Sequence, residues 1–257
     1  MIKQYARLGL HRYNMLEGTS FELSVLLKFN MLQNLVSSYY ITVLAYDPEA
    51  NLPPKTFQIR VDEKKYGSLN VVVSVARLKD EAATTKEPFM PHFHGGVVAD
   101  PFFQGELPDW PSAHAFSDRK RFYVLKKSEW HDTAWISLYL ETLVYANDRD
   151  ISNDILSKLE IINVAIETKE EDVKSPNEIL KAKSAHVYIT FKGLEESFFQ
   201  TETFKGSAKA LRLSKGIPRK AVVRRVISRG ALSLEQHSMT LRSGQKSQSS
   251  KLLRLGV

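Results

Sequence analysis

The alternation of apolar and polar positions divides the chain into an opening helix, a long series of strands and a few stretches without period. Ala6, Gly9, Leu10 and Tyr13 fall at i, i+3, i+4 and i+7, one stripe of an amphipathic helix, with Lys3, Arg7 and Arg12 off it. Glycine in a helix interior costs about 1 kcal/mol against alanine, so Gly9 on the buried stripe predicts a very close neighbour, such as a sheet crossing beneath. Gly18 ends the pattern. From residue 21 the period becomes two: Phe21, Leu23, Val25, Leu27 and Phe29 alternate with Glu22, Ser24, Leu26, Lys28 and Asn30. Further strands are predicted in SYYITVLAYD (38–47), TFQIRVD (56–62) and SLNVVVSVARL (68–78). One helix laid over an antiparallel meander is the architecture implied.

Residues 79–118 carry no period, but hold five prolines, a glycine pair and many aromatics. A loop of this length inside a domain is a functional segment or a connector. Strands resume in RFYVL (121–125), WISLYLETLVY (135–145), KLEIINVAIET (158–168) and HVYITF (186–191). The charges of 169–174 and then Ser175-Pro176-Asn177 mark an exposed connection ending in a short helix through Ile179 and Leu180. KAVVRRVIS and ALSLEQH predict a hairpin with its turn at Arg229-Gly230. The polar, low-complexity stretch from Ser243 onward is expected to be disordered. No internal repeat survives a residue-by-residue comparison. The expected fold is α+β, with a helix-on-sheet module at 1–78, a Pro/His/aromatic connector at 79–118, a β-rich module with a basic hairpin at 119–238 and a basic tail at 239–257.

Composition narrows the function classes. With 257 residues, 43% hydrophobic and 25% charged, the chain is long enough for a real core. No apolar run approaches the ~18–20 residues of a membrane span, and the opening residues show no secretory h-region. The absence of cysteine excludes disulfides, thiol nucleophiles and cysteine-based metal centres, and fits the cytoplasm or nucleus. The net charge of +7 is unevenly spread: residues 201–257 hold 13 Lys+Arg against Glu202 and Glu235, so the remainder of the chain is mildly acidic. A basic extension on an acidic body is suited to phosphate or acidic partners, and equally reads as a solvated strand and tail.

Two resemblances add to this reading. ARLGLHRYN, SYYITVLAYD and TFQIRV resemble the helix and following strands of plant cystatins, over residues 5 to about 62. More of the chain, residues 5 to about 190, resembles a plant-specific family named for male-sterility and embryo-defective relatives. That likeness rests on ARLGLHRYN, SYYITV, TFQIRVD, PHFHGG, LPDWP, FYVLKKSEW, WISLYLE and KLEIINVAIET in that order. It implies a plant protein with no assigned reaction. The cystatin likeness implies the fold more than the activity. Its inhibitory wedge needs a Gln-x-Val-x-Gly hairpin, and QNLVSSYY has Gln33 and Val36 but Ser37 and Ser38 where glycine is wanted. The Pro-Trp anchor of the second cystatin hairpin is replaced by DEKKYGS, with Tyr66 its one aromatic.

Metal chemistry centres on PHFHGG (91–96). His92 and His94 share one side of an extended segment, and a third ligand would come from Asp100, Glu106 or His114. A cupin-like carboxylate is missing, because Val98 and Ala99 fill its window, and no His-Glu-x-x-His occurs. Turn chemistry accounts for the flanking proline and glycines, so a stiff loop is the expectation. No nucleophile elbow or Walker motif is present, and Glu129 with Asp132, or Glu170, Glu171 and Asp172, read as solvated surface.

No catalytic residue and no cofactor is therefore expected, and the function expected is a non-enzymatic protein-interaction module with an unidentified protein partner. Phe89, Phe93, Phe102, Phe103 and Trp110 are the candidate anchors, although the same rings could simply bridge the two modules. Contact with a nucleic-acid backbone through Arg219, Lys220, Arg224 and Arg225 is the alternative. Such contact would be unspecific and salt-sensitive, since no aromatic follows residue 204 for bases to stack on. A degenerate cystatin-type inhibitor is the third reading.

Overall fold

The computed structural model describes residues 1–32, 36–50, 52–79, 100–131, 133–169, 175–193, 218–228 and 231–236. Helix α1 (Ile2–Glu17) buries Tyr5, Ala6, Leu8, Gly9 and Leu10 and ends at Gly18, whose φ of 69° is the left-handed conformation that closes helices on the Asn14 carbonyl. The glycine on its buried face has the predicted cause. A Cβ on Gly9 would lie 2.4 Å from Ile59 Cγ2, so α1 rests almost directly on the strand below.

Strands β1 (Glu22–Leu32), β2 (Ser38–Tyr46), β3 (Lys55–Glu63) and β4 (Asn70–Leu78) form the expected antiparallel meander. β2 keeps strict alternation, with Tyr39, Ile41, Val43 and Ala45 all buried against the helix. β1 departs from its sequence pattern. Register shifts between Leu23 and Val25 and between Leu26 and Lys28 turn the inward face onto Leu23 and Leu26, which pack on the core, and leave Val25 and Leu27 exposed. An extra residue at a bulge reverses the parity of everything after it, so a period of two in the sequence did not mean one buried face.

Residues 135–145 are a correction. WISLYLETLVY is not a strand but lies within helix α3 (Ala134–Asn147). Its aromatic and branched residues mimic strand composition because the helix is enclosed, burying Ile136, Leu138, Tyr139, Leu140, Leu143 and Val144. The helical signal was the i, i+4 spacing of polar Ser137 and Glu141 and of Trp135 and Tyr139, whose rings lie 4.9 Å apart. Short helices α2 (Lys127–His131), α4 (Asn153–Leu156) and α5 (Pro176–Leu180) flank it, the last starting from Ser175 as expected.

Strands β5 (Phe122–Val124), β6 (Glu160–Glu167), β7 (Ser184–Lys192), β8 (Arg219–Ser228) and β9 (Ala231–Gln236) complete one nine-stranded antiparallel sheet, ordered β1-β2-β3-β4-β9-β8-β7-β6-β5. β8 and β9 pair with Ser228 opposite Ala231, while Arg229 and Gly230 themselves fall outside the described residues. The strands of residues 1–78 and of 119–238 therefore do not form separate sheets. β4 hydrogen-bonds to β9 from Asn70–Glu235 to Val73–Leu232, joining them edge to edge. The α+β class stands, as a single sheet with helices on it.

Helix followed by four-stranded meander thus occurs twice, as α1-β1-β2-β3-β4 and α3-β6-β7-β8-β9. The last strands of the two units pair antiparallel at the centre of the sheet. Their helices also run antiparallel: Gln4 and Arg7 meet Glu141, and His11 meets Tyr139 and Trp135. Both relations are what a two-fold axis through the sheet would produce. One core, containing Leu8, Ile59, Val73, Leu143, Val187 and Leu232, lies between the helices and the sheet.

Candidate functional site

The opposite face of the second unit is covered by residues 100–118, the described part of the connector. Phe103 is buried against His186, with ring centroids 5.1 Å apart, and Trp110 meets the edge of Tyr188 at 5.7 Å. Phe116 closes the same cluster against Phe122 and Tyr188. Burying a ring of this size is worth roughly 1.5–3 kcal/mol, so these aromatics hold the connector on the sheet. Phe102 alone among the described candidates keeps a large exposed fraction, 43%. Phe93, like His92, His94 and Phe89, lies outside the described residues.

Beneath the connector lies a buried polar clasp. Glu167 accepts hydrogen bonds from Tyr188 Oη at 2.6 Å and from Arg121 Nε, and its Oε2 lies 3.2 Å from His186 Nδ1. Arg224 Nε lies 3.3 Å from His186 Nε2 and donates to it, which leaves Nδ1 as the donor to Glu167. Arg224 then reaches the connector, donating to the carbonyls of Gly105 at 2.9 Å and Glu106 at 2.7 Å, and pairs with Glu235. Burial opposes ionised Glu167, but the bonds from His186, Tyr188 and Arg121 outweigh it and hold its pKa below the usual carboxylate range. Burial, reinforced by Glu167, pushes the Tyr188 hydroxyl well up. Glu167, His186 and Arg224 form one chain of bonds that ends on the connector backbone and fastens it to the sheet.

This geometry also places the four basic candidates. Arg224 is spent in the clasp, and Arg219 is buried. Arg225 is fully buried, donates to the carbonyls of Leu180 and Ala182, and lies 4.5 Å from the Trp135 ring centre. Lys220 sits over the Trp110 ring at 5.0 Å. The run RKAVVRR looks like a basic patch in one dimension, but β pairing and tight packing turn its arginines inward. Of the possible third metal ligands, Asp100 caps the turn Pro101–Phe103 and pairs with Lys169. The Phe102 N–H, then Lys169, hold its pKa below the ordinary value. Among the described residues no group of three or more His, Asp or Glu could hold a metal ion.

Two features had no signal in the sequence reading. One is a cleft of about 840 Å³ between α1, the start of β1, the first turn of α3 and the end of α5. On its wall His11 Nε2 lies 2.9 Å from Tyr139 Oη. Burial, with Arg225 behind it, pushes His11 down to about 3, and burial raises Tyr139 to about 12. The other is the outer edge of β1, which among the described residues pairs only with β2. Along that strand Val25, Leu27, Phe29 and Leu32 are 47, 48, 46 and 52% exposed.

Comparison with known proteins fixes the family. The family model described as Protein MS5 matches residues 107–234. A putative UPF0725 protein of Arabidopsis thaliana is 48% identical over 98% of this chain and 80% of its own length. The chain belongs to the UPF0725/MS5 family. A second UPF0725 protein of the same plant is 52% identical over 90% of this chain and 76% of that relative. UPF0725 protein EMB2204, also from Arabidopsis thaliana, is 40% identical over 96% of this chain and 73% of its own. The crystal structure of MS5 from Brassica napus matches with a TM-score of 0.70 at 29% identity, covering 94% of this chain and 98% of that one. The resemblance to a male-sterility and embryo-defective plant family is therefore correct. None of these names states an enzymatic activity, and among the described residues no helix is long and apolar enough to cross a membrane.

Proposed function

We propose that this UPF0725/MS5 chain is a non-enzymatic protein-interaction module of the cytoplasm or nucleus, which takes an extended segment of a partner protein along the outer edge of β1. The observation that carries this reading is an 11-residue strand with no outer neighbour among the described residues, along which Val25, Leu27, Phe29 and Leu32 each stay about half exposed. A partner strand would gain main-chain hydrogen bonds from the open edge and apolar contact from these side chains. The connector is the weaker surface, since Phe103 and Trp110 already fill internal positions. A cystatin-like character of the first unit is supported by α1 lying across β1–β4. An inhibitory wedge gains no such support, because Tyr66 is occupied by Arg149 at 4.5 Å. Phosphate binding through β8 gains none either, with Arg224 and Arg225 inside.

Affinity purification from plant tissue, with and without nuclease, tests the reading when the intact chain is run beside Val25→Lys/Leu27→Lys. Nuclease-resistant partners lost in the double variant support it. An unchanged set in the folded variant, or a set that vanishes with nuclease, overturns it. Analytical ultracentrifugation of the purified chain shows whether the occupant is a second copy.

A further inference from the structure

We infer that the cleft between α1 and α3 is a binding site for a small amphipathic carboxylate, a molecule with an apolar body and one anionic head. Its volume of about 840 Å³ falls in the range of small-molecule sites, in a cleft that stays open to solvent on one side. Leu10, Phe21, Leu23, Trp135 and Leu138 supply an apolar wall. Cations border it: Lys3, Arg7 and Lys181, against Glu22 as the one lining carboxylate. Arg7 is neutralised by Glu141 at 2.7 Å, and Glu22 accepts from Tyr46 at 2.8 Å. Exposed Lys3 and Lys181 have no carboxylate partner among the described residues.

The second observation lies behind the wall. Arg225 is wholly buried, its Nε and Nη1 have no hydrogen-bond partner, and no carboxylate pairs with it among the described residues. Carbonyls of Leu180 and Ala182, the face of Trp135 and the neighbouring Tyr139 hydroxyl are what it has instead, all of them uncharged. A buried cation so poorly compensated raises the local potential, and Trp135 is the thin partition between it and the cleft. The first turn of α3 adds to the same field. Thr133 spends its hydroxyl on the Glu129 carbonyl, so the N–H groups at the start of the helix, beside the cleft at Ala134 and Trp135, have no side-chain cap. An anionic head near Lys181 would meet all three, while its apolar body lay along Leu138 and Leu10. A neutral molecule of the same shape would gain only the apolar wall.

The test is calorimetric titration of the full chain with decanoate and with decan-1-ol. Decanoate is expected to bind at least about tenfold more tightly. Lys3→Glu/Lys181→Glu, at two exposed positions that leave the core intact, removes that preference and leaves the alcohol unchanged. Ala134→Trp, which fills the mouth from an exposed position, abolishes both. Equal affinity for acid and alcohol, no binding of decanoate by the folded chain, or decanoate binding that survives both variants would overturn the site. Partner capture through β1 is read separately, so either proposal can fail without the other.

Discussion

The two helix-and-meander units share a plan and differ in how each is finished. The second ends in a short edge strand of three residues, β5, which covers only the end of β6. β5 pairs with β6 from Phe122–Glu167 to Val124–Ala165, and the connector is fastened below by the clasp of Glu167, His186 and Arg224. The first ends in the long strand β1, bulged twice, with Val25, Leu27, Phe29 and Leu32 exposed among polar neighbours. The helices differ as well. α1 lies low on its strands because Gly9 lets Ile59 approach, whereas α3 stands further off on Tyr139, Leu143 and Tyr145. A repeated architecture thus ends in a short edge strand beside a fastened connector on one side and in a long, partly apolar edge strand on the other.

The largest effect that separates the units is expected from the clasp. Glu167→Ala leaves the Tyr188 hydroxyl and the His186 Nδ1–H buried without their acceptor, and each buried donor left unsatisfied costs roughly 1–3 kcal/mol. Urea denaturation should show that loss, and limited proteolysis should cut within 100–118, the segment that Arg224 holds. A cost below about 1 kcal/mol would mean that the clasp is not what fastens the connector. Gly9→Ala comes next. The new methyl must displace the Ile59 side chain, and overpacking of this kind costs about 1–3 kcal/mol. Adding Ile59→Val should return part of it, and a double-mutant cycle measures the coupling.

These effects also mark what was legible beforehand. The strands of the first unit and the close approach at Gly9 were readable because hydrophobic period and a costly glycine are local signals. α3 was not, since an enclosed helix shows apolar residues on every side and loses its 3.6-residue contrast. The bulges in β1 were hidden for a related reason: a sequence cannot show where an added residue flips the faces. Nor was the repeat visible, because what the units share is the order of elements and not side chains. The clasp depends on register, with Glu167 opposite His186 on neighbouring strands and Arg224 reaching 119 residues away to Gly105.

Acid sharpens the comparison with a smaller effect. His11, at the junction of α1 and α3, has its pKa lowered to about 3 by burial and then by Arg225, against an unfolded value of about 6.5. The unfolded chain therefore binds a proton that the folded chain refuses, and stability is lost as pH falls from about 6.5 toward 3. With the imidazole only partly enclosed, about 1 kcal/mol is expected between pH 6.5 and 5. Glu167 has the opposite ionisation and the same sign of slope, but in a lower window. Its depressed pKa contributes stability above about 4.3 that disappears as pH falls through the folded value. His11→Gln should flatten the stability profile between pH 6.5 and 5 and leave the acid limb below it, while Glu167→Gln should flatten the limb alone. Chemical denaturation across pH 3–7 reads both.

The smallest effect on stability is expected at β1, and its smallness is the point. Leu27 is already about half exposed at a bulge, so Leu27→Lys should change the unfolding free energy by no more than about 0.5 kcal/mol. A lysine on an open edge is also what discourages strand addition. If the edge is held open for a partner, this substitution separates two quantities that move together elsewhere in the molecule: unfolding by urea is unchanged while capture of the partner falls. A Leu27→Lys chain that loses several kcal/mol would show instead that the side chain belongs to the core and is not held out for a partner.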